Sequence, residues 1–185
     1  MMLLSLVIAL GLAAVAHAAQ PTTLQWDASC SGADFCGTVV ATKVGSNMAY
    51  HDDSAGTPPN PLASVTIRMQ RCKTYSLTLK SNLGLANGEY TSIHTHGLHV
   101  SGNAPGDNVL HDAPGETDPF VKDTTSFTYK YSVPCDHGGG TFWYHSHTEQ
   151  TAPQISAGLA GALIVEDGGD NPEQVPAWIS EMKYA

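Results

Sequence analysis

Apolar and polar residues alternate along much of this chain. Val65, Ile67 and Met69 are separated by polar positions, as are Tyr75, Leu77 and Leu79, and then Phe127, Tyr129, Tyr131 and Val133. A period of two sends successive side chains to opposite faces of a strand. Each run therefore predicts a strand with one face on a core and the other in water. Ile93–Val100, Thr141–His147 and Ala160–Glu166 complete the expected set. Clusters rich in Gly, Pro, Asn and Asp separate the runs, beginning at Gly56, Gly102, Ala113 and Gly138. Helical signal is confined to about one turn around Pro153–Ala157. Several short strands at this spacing predict an all-β sandwich or barrel.

The ends read differently from the middle. Residues 1–18 carry an apolar run, Leu3–Val15, followed by Ala16-His17-Ala18, the small-x-small pattern of a cleavable export signal. Residues 19–60 read as a loop-rich extension with one strand near Val39. Residues 61–167 form the β domain, and 168–185 open on Gly168-Gly-Asp-Asn-Pro, a linker-like tail. No segment beyond the leader is long and apolar enough to suggest a membrane span.

Composition narrows the partners. The formal charge of −9, with no basic stripe, argues against a nucleic-acid partner. The four cysteines, Cys30, Cys36, Cys72 and Cys135, all follow the leader. Export to an oxidising compartment, extracellular or periplasmic, favours disulfides, and four cysteines allow three pairings. Cys30–Cys36 is favoured because it closes a small loop.

The chemistry is carried by histidine. His94-Thr95-His96 and His145-Ser146-His147 each place two imidazoles on one face of a strand, about 6.6 Å apart. With nine histidines in 185 residues, chance placement yields on the order of 0.4 such pairs, so two in β-like segments point to a built site. Four neutral imidazoles converging on one patch suit neighbouring metal ions. Copper, zinc, nickel or iron would fit, with copper(II) the tightest of the divalent series. Hydrolytic zinc chemistry has no general base placed for it.

The other histidines read as uninvolved. His17 leaves with the leader, and His51 and His111 sit in turn-rich segments as solvated residues. His99 falls on the opposite strand face from His96. Cys135-Asp136-His137 has the Cys…His spacing of a blue-copper loop, but no Met follows within reach.

The stretches Ile93-His-Thr-His-Gly-Leu-His-Val, Gly139-Gly-Thr-Phe-Trp-Tyr-His-Ser-His and Gly158-Leu-Ala-Gly-Ala-Leu-Ile-Val-Glu-Asp resemble the first domain of multicopper oxidases, over roughly residues 62–167. That family includes laccases, ascorbate oxidases and metal oxidases. The resemblance implies a cupredoxin-like Greek-key β-sandwich. It also implies that the turns at Arg71–Lys73 and Cys135–Gly140 lie together at the end far from copper, which motivates a Cys72–Cys135 disulfide. By the same resemblance His94 would hold a type 2 copper, His96 and His145 one type 3 copper, and His147 the other. Asp107 would deliver protons as dioxygen becomes water.

The departure from the family is the missing half. The family builds its trinuclear cluster from eight histidines, four of them from its last domain, which also carries a type 1 copper on a His-Cys-His motif. This sequence has neither that motif nor a third histidine cluster. The expectation is therefore an apparently truncated first domain, inactive alone, whose full-length protein would use dioxygen and a reducing substrate. The missing ligands would come from a C-terminal cupredoxin domain or a partner chain. The alternative is a complete small secreted copper-binding or carrier protein without oxidase activity, or half of a two-chain copper site.

Overall fold

The computed structural model describes residues 21–56, 60–86, 88–110 and 117–166. The expected leader, the linker-like tail and His111 lie outside the described residues. The strands are β1 (Phe35–Val44), β2 (Asn47–Asp52), β3 (Ile67–Gln70), β4 (Lys73–Asn82), β5 (His94–His96), β6 (Ser126–Val133), β7 (Gly140–His145) and β8 (Ala160–Glu166). One short helix, α1 (Thr151–Ser156), follows β7.

The strands form two four-stranded sheets, ordered β2-β1-β4-β6 and β3-β8-β7-β5. The chain crosses between sheets, so β1 runs parallel to β4 and β3 parallel to β8, while the remaining pairings are antiparallel. The inner faces meet in one core. Leu77 and Leu79 from β4, Tyr129, Tyr131 and Val133 from β6, and Ile67, Met69, Leu163 and Val165 from β3 and β8 are each at most 2% exposed. These are the period-two positions. The architecture is the all-β, cupredoxin-like Greek-key sandwich that the family resemblance implies.

In the stretch expected to be loop-rich, the strand expected near Val39 is β1, longer than its local pattern suggests, and β2 is a second strand that was not expected. β1 and β2 form a hairpin, and β1 lies inside its sheet, with Val39 and Ala41 wholly buried. Its Thr, Gly and Lys residues mask the alternation. Register across β4 supplies what local contrast lacks, because β1 pairs along its length from Phe35↔Tyr75 to Thr42↔Asn82. His51, expected in solvent, is a β2 residue only 6% exposed, with Nδ1 2.9 Å from the Thr42 hydroxyl. The segment Ile93–Val100 is strand only over His94–His96. It turns at Gly97, whose φ of +92° favours glycine, and where an added Cβ would stand 3.1 Å from Phe142.

Two disulfides close the ends. Cys30–Cys36 and Cys72–Cys135 are both formed, with Cα separations of 5.9 and 4.3 Å. The second lies just outside the β4–β6 ladder, one residue before Lys73 and two after Val133, the pair that ends it.

Gly161 shows how closely paired strands of the second sheet pack, since it stands directly across from Tyr144. An added Cβ there would come within 2.5 Å of the Tyr144 ring. That ring is fully buried and its hydroxyl donates to the Val65 carbonyl at 2.6 Å. Only a residue without a Cβ lets β8 lie beside this tyrosine, and the same packing fixes β7, the strand that ends in His145.

Candidate metal centre

The site is built by the pleat of two short paired strands. β5 and β7 run antiparallel with His94↔His145, Thr95↔Tyr144 and His96↔Trp143 in register. Thr95 and Tyr144 point inward and are fully buried. Their neighbours point the other way, so His94, His96, His145 and Trp143 share the outer face of the second sheet. The histidines therefore stand on the sandwich, at its β5 edge, and not in its core.

The rings converge. Centroids lie 5.2 Å apart for His94 and His145, 5.4 Å for His94 and His96, and 5.2 Å for His94 and His147. One ligand atom from each of His94, His96 and His145 falls within 4.8 Å of the others. His147 stands beside this trio, two residues past the end of the ladder.

Hydrogen bonds decide which nitrogens carry lone pairs. His145 Nδ1 is 2.8 Å from the Ser146 carbonyl, which can only accept. The proton is therefore on Nδ1, and Nε2 keeps its lone pair. That Nε2 is 3.3 Å from His96 Nδ1, near the spacing of two nitrogens bound tetrahedrally to one ion at about 2.0 Å. In the metal-free protein His96 Nδ1–H donates across this gap.

His94 Nδ1 faces Asp107 Oδ2 at 3.0 Å, an electrostatic contact that lacks the alignment of a hydrogen bond. The other carboxylate oxygen of Asp107 accepts from the Thr95 backbone N–H at 2.9 Å. A carboxylate on one ring nitrogen and a metal on the other is the usual outer-shell arrangement for a ligating histidine. The donor set fits copper. It consists of imidazole nitrogens gathered within 4.8 Å of one another, with a carboxylate beside one ring.

Burial pushes the imidazoles of His145 and His147 below their ordinary value of 6.5, and the neighbouring histidines push in the same direction. Burial lowers His51 as well. Each group binds its proton more weakly in the folded protein than in the unfolded chain. Stability is thus complete above about pH 6.5 and is lost as pH falls from there through the lowered folded values. Chemical denaturation of the metal-free protein should show the midpoint dropping across that window. His51→Asn, which keeps an acceptor for Thr42 but cannot titrate there, should flatten the drop. A midpoint that rises on acidification would contradict the assignment.

The remaining histidines have other work. His137 is 3% exposed; its Nδ1 contacts the Gly138 carbonyl at 2.7 Å and its Nε2 accepts from the His99 backbone N–H at 3.0 Å. It ties two loops together. Cys135 is committed to its disulfide, so no thiolate stands beside His137.

Sequence reasoning missed Trp143, which stacks on His145 at 4.1 Å and lies 5.0 Å from His96. Its position two residues before His145 on the same strand was the available signal. It also missed Ser92 and Gln154, whose contacts join segments distant in sequence and leave no local pattern.

Residues 55–170 match the family model described as multicopper oxidase. Copper resistance protein A of Escherichia coli is 30% identical over 75% of this chain and 20% of that protein. The iron transport multicopper oxidase FET3 of Gibberella zeae is 39% identical over 47% of this chain and 12% of its own length. The chain thus spans about a fifth or less of these curated relatives. In fold it resembles a multi-copper oxidase from Pediococcus acidilactici, with a TM-score of 0.57 at 24% identity over 81% of this chain and 29% of that one.

Proposed function

The chain belongs to the multicopper oxidase family, and from that premise we propose that it is the family's copper-binding first domain, contributing His94, His96, His145 and His147 to a shared cluster. The observation that carries this reading is the convergence of three imidazole ligand atoms within 4.8 Å on the outer face of a sheet. A site on an outer face can be completed by groups from another domain, whereas a site buried in the core could not.

His94 would serve a type 2 copper, His96 and His145 one type 3 copper, and His147 the other. Bound copper would supply one-electron redox chemistry, through which dioxygen is reduced to water while a substrate is oxidised one electron at a time. The chain's own residues prepare the site. Ser146 fixes the tautomer of His145, Asp107 orients His94, and Trp143 covers one side of the His145 ring. Asp107 would also pass protons; one of its oxygens faces the His94 ring and the other accepts from the Thr95 N–H. The type 1 centre, the remaining cluster histidines and the reducing-substrate pocket would belong to a later cupredoxin domain or a partner chain. Residues 1–18 would direct export.

The test is equilibrium copper titration of the full chain with electron paramagnetic resonance, on the native sequence and on Asp107→Asn. The native chain should take up copper(II) with nitrogen hyperfine structure from imidazole. Asp107→Asn should weaken binding by about 10- to 100-fold, as expected for loss of an outer-shell partner. A native chain that binds copper no better than an all-β protein lacking histidine pairs would end this reading.

A further inference from the structure

His147 has a problem that the other three histidines do not. His94, His96 and His145 are held by the β5–β7 ladder, which runs only from His94↔His145 to His96↔Trp143. β7 ends at His145, and the ladder does not reach two residues further. Yet the His94 and His147 rings are 5.2 Å apart, the same spacing as His94 and its directly paired partner His145. Something other than sheet pairing must hold His147 in place.

The structure assigns that role to the Ser92 side chain, as a positioning residue that latches His147 beside His94. The Ser92 hydroxyl accepts from the His147 N–H at 2.9 Å and donates to the His147 carbonyl at 3.0 Å. One hydroxyl thus engages both backbone groups of a single residue and fixes the peptide planes on either side of it. Ser92 is itself enclosed and tied on both sides. It is 1% exposed, its carbonyl accepts from the buried Tyr50 hydroxyl at 2.7 Å, and the next residue, Ile93, donates to the Tyr129 hydroxyl at 3.0 Å.

A second tie secures the neighbouring residue. The Ser146 hydroxyl donates to Gln154 Oε1 at 2.5 Å, and Gln154 Nε2 donates to the Tyr90 carbonyl at 2.7 Å. Gln154 lies in α1 and is 2% exposed. The segment entering β5 and the segment leaving β7 are therefore joined by side chains where the ladder has stopped. An unpaired buried hydroxyl or amide is costly, so each bond resists opening. The latch touches no imidazole, so it would act on metal binding only through the placement of His147.

The structural part of this inference stands on the metal-free chain, while its effect on copper rests on the proposed function. Two readouts keep them apart. In metal-free full chain, nuclear Overhauser contacts between the His94 and His147 rings should be lost in Ser92→Ala. Those between His94 and His145 should remain. In copper titrations Ser92→Ala should weaken copper binding by about 10- to 100-fold, and should add nothing further in a His147→Ala background.

Ser92→Cys, nearly isosteric but a weak hydrogen-bonding group, gives the same comparison with core packing retained should the alanine variant fold poorly. Retention of the His94–His147 contacts in a folded Ser92 variant overturns the latch. An undiminished Ser92→Ala effect in the His147→Ala background overturns its action through His147. Unchanged copper binding by His147→Ala alone refutes His147 as a ligand and leaves the metal-free contacts to decide the latch.

Discussion

Replacing His96 and His147 together by alanine should abolish tight copper binding while leaving the sandwich folded. The two residues sit at opposite sides of the cluster. His96 closes the trio through its 3.3 Å approach to His145, and His147 stands outside that trio beside His94. Removing both leaves His94 and His145, whose lone pairs cannot enclose an ion from more than one side. The loss should exceed the roughly 10- to 100-fold that follows from disturbing an outer-shell partner, because ligands themselves are gone. Neither side chain belongs to the core, since His96 is exposed and His147 only partly buried, and the apolar cluster includes neither. Thermal unfolding of the metal-free double variant should match the parent closely. Copper stoichiometry that survives the double change would remove these residues from the site.

The second large effect concerns Cys72–Cys135. This disulfide closes a sequence separation of 63 residues and Cys30–Cys36 one of 6. In the chain-entropy model the first restricts the unfolded chain by about 4 kcal/mol and the second by about 2 kcal/mol. Double serine replacement at 72 and 135 should therefore cost about twice as much as at 30 and 36. For a domain whose total stability is on the order of 5–15 kcal/mol, that is a large share. Denaturant midpoints of the two serine pairs, compared with the parent, give the measurement. If the 30–36 pair costs more, unfolded-chain entropy is not what the long-range disulfide contributes.

Both effects trace to features that differed in how openly the sequence showed them. The core strands were legible because Leu77, Leu79, Tyr129 and Tyr131 alternate with polar residues at a strict period of two. The paired His-x-His motifs were legible for the same reason, as a period-two pattern in a residue that is rarely repeated so. β1 was legible only as a strand near Val39, and β2 not at all, because the full extent of both depends on pairing, and pairing partners leave no trace in local composition. His51 was hidden likewise. A histidine after Tyr50 near Gly and Pro reads as solvated, and only the fold brings Thr42 across from it. Asp107 could be singled out only through family resemblance, since an aspartate beside glycine is ordinary in a turn. Its contact with His94 spans a loop whose course the sequence does not specify.

The placement of the histidines on the outside of a finished sheet bears on the order of events in the protein's life. In a zinc finger the metal is part of what folds the chain, and without it there is no structure. Here the apolar interior and both cross-links are built from residues other than the four histidines. On the proposed function, maturation would therefore separate into two stages, a scaffold that forms without copper and a loading step that follows it. A chain made under copper starvation would accumulate as a folded, chargeable reserve and would not be discarded as misfolded.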